Sequence, residues 1–273
     1  MIVSPVTLSA AAIAGVLFAR GFRRLRRRRP AHARPYRALL FGLAVAAGLI
    51  ALSAPLDDLA EESLAAHMLQ HVLLTDVVPA LGLVAVRGPL LFFVVPEFLL
   101  RAVSHSARAR AVLSALTRPL VAFGLWAGAL AFWHVPAVYD ATLASEPLHV
   151  LEHASFVVAG TLAWIQIVDP ARRAALGTVG RLGFVLGMFV VGQMLATTLV
   201  LTQSPVYEPY SGAGERLFGM SALEDQDAAG FLMMLEQMLV LGTAAVFLVR
   251  RHLDESSDAA VAAVDHPAHP FVA

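Results

Sequence analysis

The chain has 273 residues, of which 58% are hydrophobic, with a mean hydropathy of +0.71 and 20 arginines balanced by 20 acidic residues. That composition is too apolar for an ordinary water-soluble domain, and no nucleic-acid partner is expected of it. There is no cysteine, which excludes a disulfide framework and any thiolate metal site.

A transmembrane helix needs about 20 mostly apolar residues. Seven stretches meet that need in chain order: residues 3–20, 37–55, 64–84, 119–136, 147–168, 181–202 and 228–249. The first has no basic start, and its arginines follow the apolar run, so it reads as a helix and not as a cleaved signal. LLFFVVP, residues 90–96, is too short to span and is expected at the interface or packed in a loop. Residues 254–273 are polar, rich in Ala and Pro, and aperiodic; a disordered cytoplasmic tail is expected there. The expectation is therefore an all-α polytopic bundle over residues 1–253, followed by that tail.

The connections alternate in charge. Residues 20–37 hold nine arginines and no acid, whereas the next connection holds Asp57, Asp58, Glu61 and Glu62. Arg87, Arg101, Arg108, Arg110 and Arg118 face a single Glu97; Asp140 and Glu146 follow. Arg172, Arg173 and Arg181 come next against Asp169, then Glu208, Glu215, Glu224, Asp225 and Asp227 against Arg216, and finally Arg250 and Arg251. Basic residues mark the cytoplasmic side. The pattern places the N-terminus outside and the C-terminus in the cytoplasm, and it agrees with seven spans. The arginine-rich loop serves as a topology anchor and could also touch anionic lipid head groups.

Ten histidines occur, and five of them fall at the predicted outer face: His67 and His71 in HMLQH, His134, and His149 and His153 in HVLEH. His32, His105, His252, His266 and His269 fall in inner loops or the tail and carry no expected role. Residues four apart share a helix face about 6 Å apart along the axis. Ser63 and Ser145 each stand four residues before a first histidine and are expected to cap their helices; Pro147 suits an early helical position. Polar groups at this depth face the bundle interior. A single such imidazole is unremarkable, but five on three helices at one face point to a metal, because neutral imidazole is the commonest metal ligand.

Gln70 and Glu152 hold matching places between the paired histidines and are expected to orient or join the ligands. Asp140 at the outer rim is a further candidate to orient a ligand or to cap. Met68, Met194 and Met238, together with Met220, Met233 and Met234, would supply thioether; with imidazole and without thiolate, that set suits copper, although imidazole serves zinc and iron as well. Asp76 and Glu236 are intramembrane carboxylates that could carry protons or bond across helices.

The segments AAHMLQHVLL, AFWHVPAVYDATL, LHVLEHASFVVAGTLAW and EDQDAAGFLMM resemble the signature segments of the CtaG family of seven-helix cytochrome c oxidase assembly factors, which is distinct from the single-span, cysteine-bearing copper chaperone that shares its name. The likeness runs over about residues 64–249. It carries over His67, His71, His134, His149 and His153, then Trp133, Pro136, Tyr139 and Asp140, and lastly Asp225, Gln226, Ala229 and Gly230. The chain departs from the family at AWIQIVDP and MMLEQM, away from the histidines. The resemblance implies a bacterial plasma-membrane protein without catalytic turnover that matures a heme-copper oxidase, its partner, by handling copper at an outward-open rim of histidines and methionines.

Three other readings use the same residues. A membrane metalloenzyme would hold a reactive water between the pairs, but no HEXXH motif is present. A heme protein would take its axial histidines from different helices. A transporter would need a site at mid-membrane.

Overall fold

In the computed structural model, which describes residues 4–172, 175–212 and 217–265, the chain is built of helices, and no strand occurs among the described residues. Arg173, Glu215, Arg216, His266, His269 and the rest of 266–273 lie outside them.

Helix α1 spans Pro5–Arg28. Ser4 Oγ accepts from Thr7 N at its start, and Arg26, Arg27 and Arg28 complement the negative end of the helix dipole. Helix α2 (Pro35–Ala51) leads to a short acidic helix, α3 (Leu56–Glu62). Then come α4 (Leu64–Val72) and α5 (Val78–Val86), joined by a π turn at Leu73–Val77 into one span. Pro79 accounts for that turn. It has no N–H, and its ring crowds the carbonyl of residue i−4, which is Thr75. Widening the turn relieves the clash. The Thr75 carbonyl then meets Gly160 so closely that a Cβ there would lie 2.0 Å from the oxygen.

Helices α6 (Pro89–Val94), α7 (Glu97–His105) and α8 (Ala107–Leu116) form the next connection. LLFFVVP thus becomes α6, which packs on α1 through Leu90, Phe18 and Leu25. Helix α9 (Pro119–Trp133) follows α8 at an angle of 66°. It ends three residues before the predicted 136, because Pro136 cannot continue it and instead opens α10 (Pro136–Leu143). Helices α11 (Glu146–Val168), α12 (Thr178–Leu201) and α13 (Ala222–Asp265) complete the bundle. Helices α12 and α13 approach closely at Gly230, where a Cβ would lie 2.9 Å from the Ala196 carbonyl oxygen.

Among the described residues, five helices are long and apolar enough to cross a membrane: α1, α4–α5, α11, α12 and α13. Counting bent α8–α9 as one span makes six, and α2, with 17 residues, is a shorter apolar helix. Large apolar side chains face outward along them, with Leu120 87% and Leu186 61% exposed, as a bilayer requires. The last helix runs past the predicted span, through Asp265. Glu255 accepts from Thr178 Oγ1 at 2.8 Å and pairs with Arg251 one turn away, and the alanines that follow favour helix.

The two ends of the bundle differ in charge. At one end Arg37 donates to the carbonyls of Ala85 and Arg87, and Arg181 pairs with Asp169 at 3.0 Å. Acidic α3, α10 and the 3-10 turn Glu208–Tyr210 lie at the other, beside the apolar cluster of Leu64, Met68, Tyr139, Tyr207, Tyr210 and Met233.

Candidate metal centre

The acidic end holds the histidines. Ser63 caps α4, as expected, accepting from Ala66 N at 3.3 Å. Asp225 of α13 completes that cap. One carboxylate oxygen accepts from Ser63 Oγ at 2.7 Å and Ala65 N at 3.2 Å, and the other from Leu64 N at 2.7 Å. An anion on the free N–H groups of a helix start is favourable. The last span therefore fixes the first turn of the helix that carries His67 and His71. Gln226 next to it pins the loop after α12, donating to the carbonyls of Leu199, Thr202 and Ser204 and accepting from Val206 N.

His67 Nε2 and His71 Nε2 lie 2.9 Å apart. Glu152 of α11 reaches between them: Oε1 is 3.5 Å from His71 Nε2 and Oε2 is 3.9 Å from His67 Nε2. With His153 these residues form a group whose candidate ligand atoms all lie within 4.8 Å of one another. His67 and Glu152 are fully buried, and His71 and His153 nearly so. Four donors at about 2.0–2.1 Å around one ion stand about 3.3 Å apart, so small side-chain rotations would bring these four to that spacing.

The hydrogen bonds assign the His67 tautomer. Tyr210 Oη donates its one proton to the Ala60 carbonyl at 2.5 Å, an atom that can only accept. Its 3.0 Å contact with His67 Nδ1 must then be a bond donated by the imidazole. The proton sits on Nδ1, and the Nε2 lone pair faces His71 and Glu152. Burial pushes the Tyr210 phenol well above its usual pKa, which keeps that proton in place. Several other groups have no hydrogen-bond partner among the described residues: both Glu152 carboxylate oxygens, His71 Nδ1, and Nε2 of His134, His149 and His153. Buried polar atoms of this kind are normally satisfied, so a concentration of unpaired polar atoms around two carboxylate oxygens marks a place for a cation.

All five predicted histidines converge. The His149 ring is 5.1 Å from that of His67 and 4.3 Å from that of His153, and it is half-exposed. The His134 ring lies 6.2 Å from His71, and its Nδ1 donates to the Leu130 carbonyl at 2.8 Å, which leaves Nε2 free to accept. Trp133, beside it, donates to Ser155 Oγ at 2.6 Å and ties α9 to α11.

Four expectations need correcting. Gln70 turns away from the histidines and donates to the Ala51 carbonyl and to Asp57, because the α4 face that presents His67 and His71 points the intervening residue toward α2 and α3. Met194 and Met238 are 66% and 62% exposed on the outside of the bundle, where an apolar side chain faces lipid. Ser145 occupies the cap position of α11 without a side-chain capping bond. The site is not an open rim, since the loops carrying Tyr207 and Tyr210 cover it.

Met68 is buried and, with Met233, lines a cavity of about 30 Å³ that also touches His71 and His134. Asp76 and Glu236 reach the same cavity, and Asp76 accepts across helices from Trp164 Nε1 at 2.8 Å. Asp140 stands outside the four-residue group, and partial burial raises its carboxyl pKa. Sequence reasoning missed Tyr207 and Tyr210. Tyr207 stacks on Tyr139 with ring centroids 4.0 Å apart and donates to the His134 carbonyl at 3.3 Å. The one available signal was two tyrosines in an otherwise polar, acidic loop.

The sequence model of the cytochrome c oxidase caa3 assembly factor family matches residues 16–255. No curated protein and no solved structure matches the chain. The match spans most of the chain, which belongs to that family.

Proposed function

We propose that this protein binds one copper ion at His67, His71, Glu152 and His153 and passes it to a heme-copper oxidase during assembly, without catalytic turnover. The observation that carries the reading is the buried group of three imidazoles and a carboxylate ringed by unpaired polar atoms. A nitrogen–oxygen donor set without thiolate takes divalent copper ahead of zinc and iron in the usual affinity order. With Met194 and Met238 on the lipid side, copper(I)–thioether chemistry loses two of its candidates.

In this reading copper is cargo. His67, His71, Glu152 and His153 hold it, and Tyr210 and the Ala60 carbonyl keep His67 in the ligating tautomer. Half-exposed His149 is the step between solvent and the buried group. The topology we propose has seven spans in a bacterial plasma membrane, with α2 and bent α8–α9 counted and the acidic end outside. The charge alternation supports that orientation.

The test is metal stoichiometry of the full chain purified in detergent, loaded separately with copper, zinc and iron. About one copper per chain is expected, lost in the His67→Ala/His71→Ala/His153→Ala variant. Equal copper uptake by both proteins would overturn the site. Deleting the gene should lower oxidase copper content; a normal content would overturn the delivery role.

A further inference from the structure

The arginine end holds a feature unrelated to the copper reading. Helices α5 and α13 leave between them a groove of about 420 Å³, floored by Trp164 and Ile167 of α11 and walled by Val84 and Phe247. Its size falls in the range of about 300–1,000 Å³ typical of ligand pockets. Leu239 and Phe247 on its α13 wall are 61% and 59% exposed, so the groove opens sideways, toward the bilayer.

Its lining includes three guanidinium groups, those of Arg87, Arg181 and Arg251. Arg181 pairs with Asp169 at 3.0 Å, and Arg251 with Glu255 at 2.7 Å. Arg87 has no ion pair among the described residues, and its Nε is buried without a hydrogen-bond partner. Burial, together with the neighbouring Arg251, Arg172 and Arg181, lowers the Arg87 pKa. An apolar slot open to lipid with a cationic, under-satisfied end has the two-part chemistry of an anionic amphiphile: a phosphate for the arginines and an acyl chain for the slot.

We propose that this groove is a binding site for one anionic phospholipid, with its phosphate on Arg87 and Arg251 and an acyl chain lying between α5 and α13. The lipid completes the packing of α13 against the span that carries His67 and His71.

The experiment uses the full chain, delipidated in a nonionic detergent. It is titrated with phosphatidylglycerol, with phosphatidylcholine of the same acyl chains, and with inorganic phosphate. Bound lipid is counted by native mass spectrometry, and Tm is followed in parallel. Phosphatidylglycerol should bind as one retained copy, at least tenfold more tightly than phosphatidylcholine, and raise Tm. Arg87→Gln and Arg251→Gln should each weaken it about fivefold. Thr243→Phe, which fills the groove from an exposed face of α13 and changes no charge, should also expel it. Arg24→Gln, on exposed α1, should leave binding unchanged. If Arg87→Gln does not fold, Arg251→Gln and Thr243→Phe still decide the matter. Equal retention of the two lipids would overturn the proposal. So would full stabilisation by phosphate alone, or wild-type affinity in both Arg251→Gln and Thr243→Phe.

Discussion

The His67–His71 stretch of α4 and the His149–His153 stretch of α11 enter the centre from the same end of the bundle and use their polar residues differently. In α4 both histidines face inward and are buried, while Gln70 between them bonds to Ala51 and Asp57 outside the centre. In α11 Glu152 and His153 face inward, and His149 is left half-exposed beside them. The spacing of four is the same, so the difference lies in how each helix is rotated about its axis. Asp225 and the bonds of Gln70 to Ala51 and Asp57 hold the rotation of α4. The close approach of Gly160 to the Thr75 carbonyl holds that of α11. Both are contacts between elements.

The sharpest way to break this comparison is to remove histidines from each stretch. His67→Ala or His71→Ala should abolish stoichiometric copper binding, whereas His149→Ala should keep the equilibrium stoichiometry and slow loading in stopped-flow mixing. Equal equilibrium losses would mean that the two stretches are equivalent after all. The intervening residues come next. Glu152→Gln removes a ligand charge and should cost most of the affinity, measured by competition with a chelator. Gln70→Ala should leave affinity within about twofold and lower stability by about 1 kcal/mol through its lost hydrogen bonds. Tyr210→Phe frees the His67 tautomer and should weaken copper about 10–100-fold, the usual effect of removing a ligand's hydrogen-bond partner. Asp225→Ala uncaps α4, and a loss of about 1–2 kcal/mol is expected in a thermal melt. The smallest effect is expected from Met194→Leu and Met238→Leu, which face lipid and should change neither affinity nor Tm; a clear loss of copper in either would return thioether to the site.

Much of this was legible in the chain itself. Apolar runs located the helices, Ser63 marked the start of α4, and the i, i+4 spacing put each histidine pair on one face. What escaped has physical causes. Apolar periodicity is nearly uniform in a lipid-facing helix, so Met194 and Met68 read alike although one faces lipid and the other the core. The fates of Gln70 and Glu152 depend on helix rotation, which tertiary contacts decide. Tyr210 reaches His67 from a loop 143 residues away, a distance no local pattern encodes. The Thr178–Glu255 bond near the end of α13 is also a tertiary contact.

The most direct measurement of the central claim is X-ray absorption on the copper-loaded full chain, beside His67→Ala and His153→Ala. The account predicts one ion per chain with nitrogen and oxygen scatterers at about 2.0–2.1 Å, including imidazole, and no sulfur near about 2.3 Å. Each variant should lose that imidazole signal. A sulfur shell, or a wild-type spectrum unchanged in both variants, would contradict it.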